Sequence, residues 1–196
     1  RGQWLDLSDA VLQSKVTHIK TGNYTDAQAA DIIIICAGAR QLRGQTRVSL
    51  LQINKKIIQQ ILKQITPVKK DACIIMVTNP VDVLTHLAVS LSKLPANRVL
   101  GSGTILEGVR LRNLIAQKLS ICPTSIHAYI LGEHGPSQFP AWSISSIGGI
   151  PLEKFPGLTT GALAECAKQA EQRVYEIIDC KGATYYGVTA AVVSMC

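Results

Sequence analysis

Apolar positions in this 196-residue chain fall into two alternating patterns: unbroken aliphatic stretches of strand length, and longer segments in which apolar residues recur every three or four positions. Residues 29–38, AADIIIICAG, give the first unbroken stretch; ending in small residues, it predicts a strand buried on both faces of a parallel sheet. A loop over 39–46 leads into VSLLQINKKIIQQILKQI, where Leu50, Leu51, Ile53, Ile57, Ile58, Ile61, Leu62 and Ile65 mark a helical face until Pro67 stops it. Residues 72–77 predict a second strand, which runs into Thr78-Asn79-Pro80, with Pro80 placed to open a helix over 81–91. NRVLGSG, residues 97–103, predicts a third short strand, and 104–119 a helix containing Leu106, Val109, Leu111, Leu114 and Ile115. Strand and helix alternating three times predicts a doubly wound α/β unit.

The pattern changes after Pro123. Residues 125–131 alternate as a β-rich segment does, a Gly-rich turn follows, and 141–147 predicts a further strand. A long amphipathic helix is expected over 159–179, Gly182 punctuates it, and a helical pattern resumes from 184 to 196. A nucleotide-binding parallel sheet ordinarily opens with a strand, a G-x-G-x-x-G turn and an acidic residue farther on. Gly101-Ser102-Gly103 lacks the third glycine, so the expectation is that any phosphate-binding turn precedes Arg1 and that both ends are truncated.

A hydrophobic content of 47% against 17% charged residues excludes a disordered tail or low-complexity linker. No apolar run approaches the roughly 20 residues of a bilayer-spanning helix, and the first residues lack a signal-peptide layout, so no membrane partner and a cytoplasmic protein are expected. The net charge of +7 raises nucleic acid as a partner, but the basic residues are dispersed and no aromatic side chains interleave with them, which argues against it. The six cysteines form no C-x-x-C pair; reduced, buried thiols are expected, with no metal site.

Short segments carrying chemically capable residues stand at predicted strand ends, where open α/β sheets place their ligands. They are AGARQLRGQTR (37–47), VTNPVD (77–82), GSGTILEGVRLR (101–112) and LGEHGPSQFP (131–140), and the tail adds KGATYYG (181–187). In this order and at these separations they resemble the L-lactate and malate dehydrogenase family over essentially the whole chain. The resemblance implies a partial doubly wound Rossmann parallel sheet over residues 1–103, the first strands missing, followed by part of an α+β substrate domain over 104–196.

It further implies an NAD-dependent oxidoreductase, most simply one that interconverts L-lactate and pyruvate, acting as a homo-oligomer, tetramer or dimer. A malate enzyme, or a catalytically silent dehydrogenase-like subunit, is the alternative. His134 matches the family's proton donor and acceptor, and imidazole suits reversible proton transfer near neutrality. Glu107 stands where the family has an aspartate that orients this histidine; the acid is retained with one methylene more. Arg110 matches the arginine that grips the substrate carboxylate, for which a guanidinium fork is suited. Arg47 matches the mobile-loop arginine that polarises the reacting carbonyl. Asn79 matches the amide that contacts nicotinamide and substrate, and Thr184 the hydroxyl lining the substrate site.

Gln41 occupies the position that separates substrates, where a neutral amide suits pyruvate and an arginine would suit a dicarboxylate, although Arg43 shares its loop. Arg40 resembles a contact to the cofactor phosphates, while Tyr24, Ala37, Gly38 and Val77 resemble cofactor walls. Arg112 and His127 match the pair that binds fructose 1,6-bisphosphate in some bacterial members. Besides Glu107, the chain departs from the family at Pro136, where aspartate is usual, and at Ile105, where asparagine is usual. Departures clustered around His134 are what a silent relative would also show.

Overall fold

The computed structural model describes residues 1–12, 18–39 and 47–196, and within them not the side chains of residues 10–12, 47 and 48. Three parallel strands, β1 (Ile32–Ile35), β2 (Cys73–Met76) and β3 (Val99–Gly101), lie side by side in that order, Ile32 opposite Cys73 and Ile74 opposite Val99. A first helix, α1 (Gly2–Leu12), precedes them, an element that the apolar pattern does not announce because Trp4, Leu5 and Leu7 are exposed. The connections α2 (Arg47–Ile65) and α3 (Val81–Ser92) pack together over the sheet. Ile58, Leu62, Ile74, Met76, Leu84 and Ala88 are fully buried between them. At about 1.5–3 kcal/mol for each large aliphatic side chain removed from water, this stripe holds the unit together.

Central strand β2 is buried as expected, but β1 is not buried on both faces: Ile33 and Ile35 are in the core while Ile32 and Ile34 are 42% and 43% exposed. Side chains of a strand alternate between faces, and among the described residues only one face at β1 is covered. Pro80 stands one residue earlier than expected, capping α3 rather than starting it.

The second unit begins with α4 (Ile105–Leu119), along which α5 (Thr160–Lys181) packs. Small antiparallel ladders pair β4 (Ile126–His127) with β7 (Ser146–Ile147) and β7 with β8 (Ile150–Pro151), while β5 (Ile130–Leu131) pairs with β6 (Phe139–Pro140). Leu111, Ile115, Ile126, Leu152 and Leu163 form its own core. The strand expected over 141–147 is broken by a 3₁₀ turn, Trp142–Ile144, because the buried Ser145 hydroxyl donates to the Ala141 carbonyl at 2.8 Å and closes the backbone on itself. Thr159 caps α5 by accepting the Ala162 N–H at 3.1 Å, and Gly182, at φ 82°, ends it in the left-handed region that glycine enters without strain. The last helix, α6 (Tyr186–Val193), lies against α4, with Gly187 facing Leu106.

The cysteines depart from expectation. All six are free, but only Cys166 is buried; Cys73 is half-buried, and Cys36, Cys122, Cys180 and Cys196 are exposed.

Candidate active site

A cavity of about 370 Å³ opens where the C-terminal end of β2 meets α4, α5 and the turn between β5 and β6. Its wall includes Leu50, Asn79, Val83, Glu107, His134 and Tyr175. The sequence sets the turn locally: Gly132 adopts φ 94°, and a side chain there would come within 3.3 Å of the Ser137 carbonyl, so glycine is required for the chain to reverse and present His134. The Asp82 carboxylate, in the first turn of α3, accepts the His134 backbone N–H at 2.9 Å.

Glu107 lies in the first turn of α4, only 4% exposed, and Arg110, one turn on and on the same face, is 5% exposed. Arg110 Nη1 donates to Glu107 Oε1 at 3.2 Å, and Glu107 Oε2 faces His134 Nδ1 at 3.5 Å. Neither atom of that second contact has another hydrogen-bond partner. A guanidinium, a carboxylate and an imidazole thus stand in one line ending at the cavity. The Glu107 carboxylate raises the His134 imidazole above its ordinary pKa, against the effect of burial, with Asp82 adding to the rise. Burial opposes the charge on Glu107, yet His134 and Arg110 together hold its carboxyl below the usual carboxylate range. Burial also pulls Arg110 down, the Glu107 charge countering it, and a guanidinium stays protonated throughout the accessible range. A carboxylate facing Nδ1 favours the tautomer protonated there and leaves Nε2 to exchange a proton with a bound molecule.

His134, Glu107 and Asn79 therefore meet at one cavity, whereas Arg110 is buried behind Glu107 and Thr184 is half-buried ahead of α6; neither lines the cavity. Tyr24 and Ala37 share a second groove along β1. Gly38 is closely packed, since an added side chain would run into Thr78 and the Asn54 amide; Val77 is half-buried and donates its N–H to the Ile35 carbonyl at 3.0 Å. Arg112 is half-buried on α4 and His127 exposed on β4. Arg40, Gln41, Arg43 and the Arg47 side chain lie outside the described residues, although α2 begins at Arg47.

Asn54 escaped the sequence reading. Fully buried on α2, it accepts the Ala39 N–H through Oδ1 at 2.7 Å and donates through Nδ2 to the Asn79 carbonyl at 2.7 Å, tying the end of β1 to the residue that lines the cavity. Its position four residues from both Leu50 and Ile58, on the apolar stripe, is the signal that marks a buried polar group needing partners. Asn54→Ala leaves a backbone donor and acceptor unpaired, and a loss of about 2–3 kcal/mol of unfolding free energy is expected in urea titration.

Residues 1–101 match the family model of the lactate/malate dehydrogenase NAD binding domain, and residues 104–196 that of the lactate/malate dehydrogenase alpha/beta C-terminal domain. The chain is 44% identical to L-lactate dehydrogenase A of Rhizopus oryzae, covering 97% of this chain and 59% of the relative. It is 42% identical to an L-lactate dehydrogenase of Thermoanaerobacter pseudethanolicus, over 97% of this chain and 63% of the relative. Among solved structures, the ligand-bound minor L-lactate dehydrogenase of Enterococcus mundtii superposes with a TM-score of 0.92 at 40% identity, covering 100% of this chain and 64% of that one. The chain thus spans somewhat under two thirds of the length of these relatives, 59% to 64%.

Proposed function

The chain belongs to the lactate/malate dehydrogenase family, and on that premise we propose that its parent protein is an NAD-dependent dehydrogenase interconverting L-lactate and pyruvate, working as a cytoplasmic homo-oligomer of two or four chains. The observation that carries this reading is the line Arg110, Glu107, His134 ending at a cavity that Asn79 also enters. The residues present fit the cofactor: the Asn79 carboxamide, its backbone held by Asn54, stands beside the apolar Leu50 and Val83, a wall suited to a flat ring bearing an amide. Asn79 would meet the nicotinamide, Arg40 the phosphates, and Tyr24, Ala37, Gly38 and Val77 would form the adenine-side and nicotinamide-side walls. NAD, when bound, supplies or takes the hydride at substrate C2.

The protein's own part is proton handling and orientation. His134 holds the proton that the C2 oxygen gains or loses, and Glu107 stabilises the imidazolium. The substrate carboxylate is assigned to Arg110 and Thr184, neither of which lines the cavity here and both of which would have to turn toward it on binding; Arg47 polarises the carbonyl, and Gln41 leaves a second carboxylate unpaired, which disfavours oxaloacetate. Arg112 and His127 are assigned to an effector phosphate. Following NADH oxidation by the intact protein with pyruvate and then with oxaloacetate tests the reading: faster turnover with pyruvate supports it, faster turnover with oxaloacetate makes it a malate enzyme, and intact NADH binding without turnover makes it a silent subunit.

A pH dependence follows from His134. Pyruvate reduction needs the imidazolium, and the Glu107 carboxylate raises the pKa of that group. kcat/KM for pyruvate is therefore expected to stay level through pH 6.5 and to fall only as pH passes the raised value, while kcat/KM for lactate oxidation rises over the same interval; steady-state rates across a pH series check both limbs.

A further inference from the structure

We infer that Asp82 is a positioning residue for His134, its carboxylate holding the main chain of the histidine turn in place across the cavity. The inference rests on the reading of His134 as the acid and base. The contact between Glu107 and His134, at 3.5 Å, is an ion pair too long to fix a ring by hydrogen bonding. The bond from the His134 N–H to Asp82, at 2.9 Å, is of ordinary hydrogen-bond length and made to a carboxylate, and it spans 52 residues to join α3 of the first unit to the histidine turn of the second. Asp82 also sits in the first turn of the 12-residue helix α3. It is thus anchored on a rigid element, whereas the turn, between two-residue strands β5 and β6, has little regular structure of its own.

The charged groups around the imidazole come from every element packed there. Glu107 and Arg110 project from α4, Asp82 from α3, Glu171 lines the cavity from α5, and within the turn Glu133 accepts the Ser137 hydroxyl at 2.9 Å. Among the described residues, Asp82 alone both touches the His134 backbone and adds negative charge beside its ring. Removing the carboxylate should therefore loosen the turn and lower the affinity of the imidazole for its proton.

The test compares Asp82→Ala with Asp82→Asn in the intact protein, by kcat for pyruvate reduction and by NMR titration of the His134 ring protons. Asp82→Ala is expected to lower kcat about 10- to 100-fold with a smaller change in KM, since displacement of a reacting group by about 1 Å has that effect. Asp82→Asn keeps an oxygen acceptor and recovers part of the loss, and in both variants the His134 midpoint moves to lower pH. A midpoint that stays where it is in the parent, in either variant, overturns the inference, as do equal kcat values for Asp82→Ala and the parent. If the parent itself fails to turn over pyruvate, the functional reading fails, and the titration alone decides on Asp82. Asp82→Asn, nearly isosteric, keeps the test open should the alanine variant not fold.

Discussion

Replacing His134 with alanine in the intact protein is expected to lower kcat for pyruvate reduction by about 10²- to 10⁴-fold, the contribution a positioned general acid makes. The cavity wall, Asn79 and the buried pair of Glu107 and Arg110 remain, so NADH affinity, read by fluorescence titration, should change little, and the loss should fall on kcat more than on KM. The His134 side chain is 33% exposed, so its removal opens no large void and the melting temperature should move by only a few degrees. Retention of more than about a tenth of parental turnover would be inconsistent with any general acid–base role for this histidine.

The histidine was legible in the sequence because GEHG stands in order with four other segments, and the fold was legible because β2 and α2 carry unbroken or strictly periodic apolar patterns. Other features depend on what lies opposite a residue rather than beside it. Asp82 belongs to a segment the sequence singles out, yet its carboxylate meets a backbone N–H 52 positions away, and no local pattern encodes that. Asn54 was detectable in principle from its place on the apolar stripe, but its partners Ala39 and Asn79 were not. The short ladders β4 to β8 are two residues each, below the length at which alternation signals a strand. The exposed Ile32 and Ile34 read as core because an apolar run does not record which face of its sheet is covered.

Glu107→Gln should produce the second large effect. The Glu107 and Arg110 side chains are 5% and 6% exposed, so removing the carboxylate charge strands a buried guanidinium, at a cost of about 3–5 kcal/mol of unfolding free energy. The dependence on pH carries the signature. The His134 pKa is raised in the folded protein, so its contribution to stability is complete below its ordinary value of 6.5 and is lost as pH rises through the raised value. The Glu107 pKa is depressed, so its contribution is present above the ordinary 4.5 and is lost as pH falls through the lowered value. The difference in stability between parent and variant should therefore be greatest between about pH 4.5 and 6.5 and shrink on both sides, as denaturant titrations at a series of pH values would show. A difference that does not vary with pH would mean that Glu107 serves packing and not charge.

The alternation at β1 makes neighbouring residues of one apolar run unequal. Ile33 and Ile35 lie in the core, while Ile32 and Ile34 face away from it. A lysine at position 33 would bury an unpaired ammonium among aliphatic side chains, whereas a lysine at 34 would keep its charge off that core, so two isoleucines side by side in an unbroken stretch tolerate charge very differently.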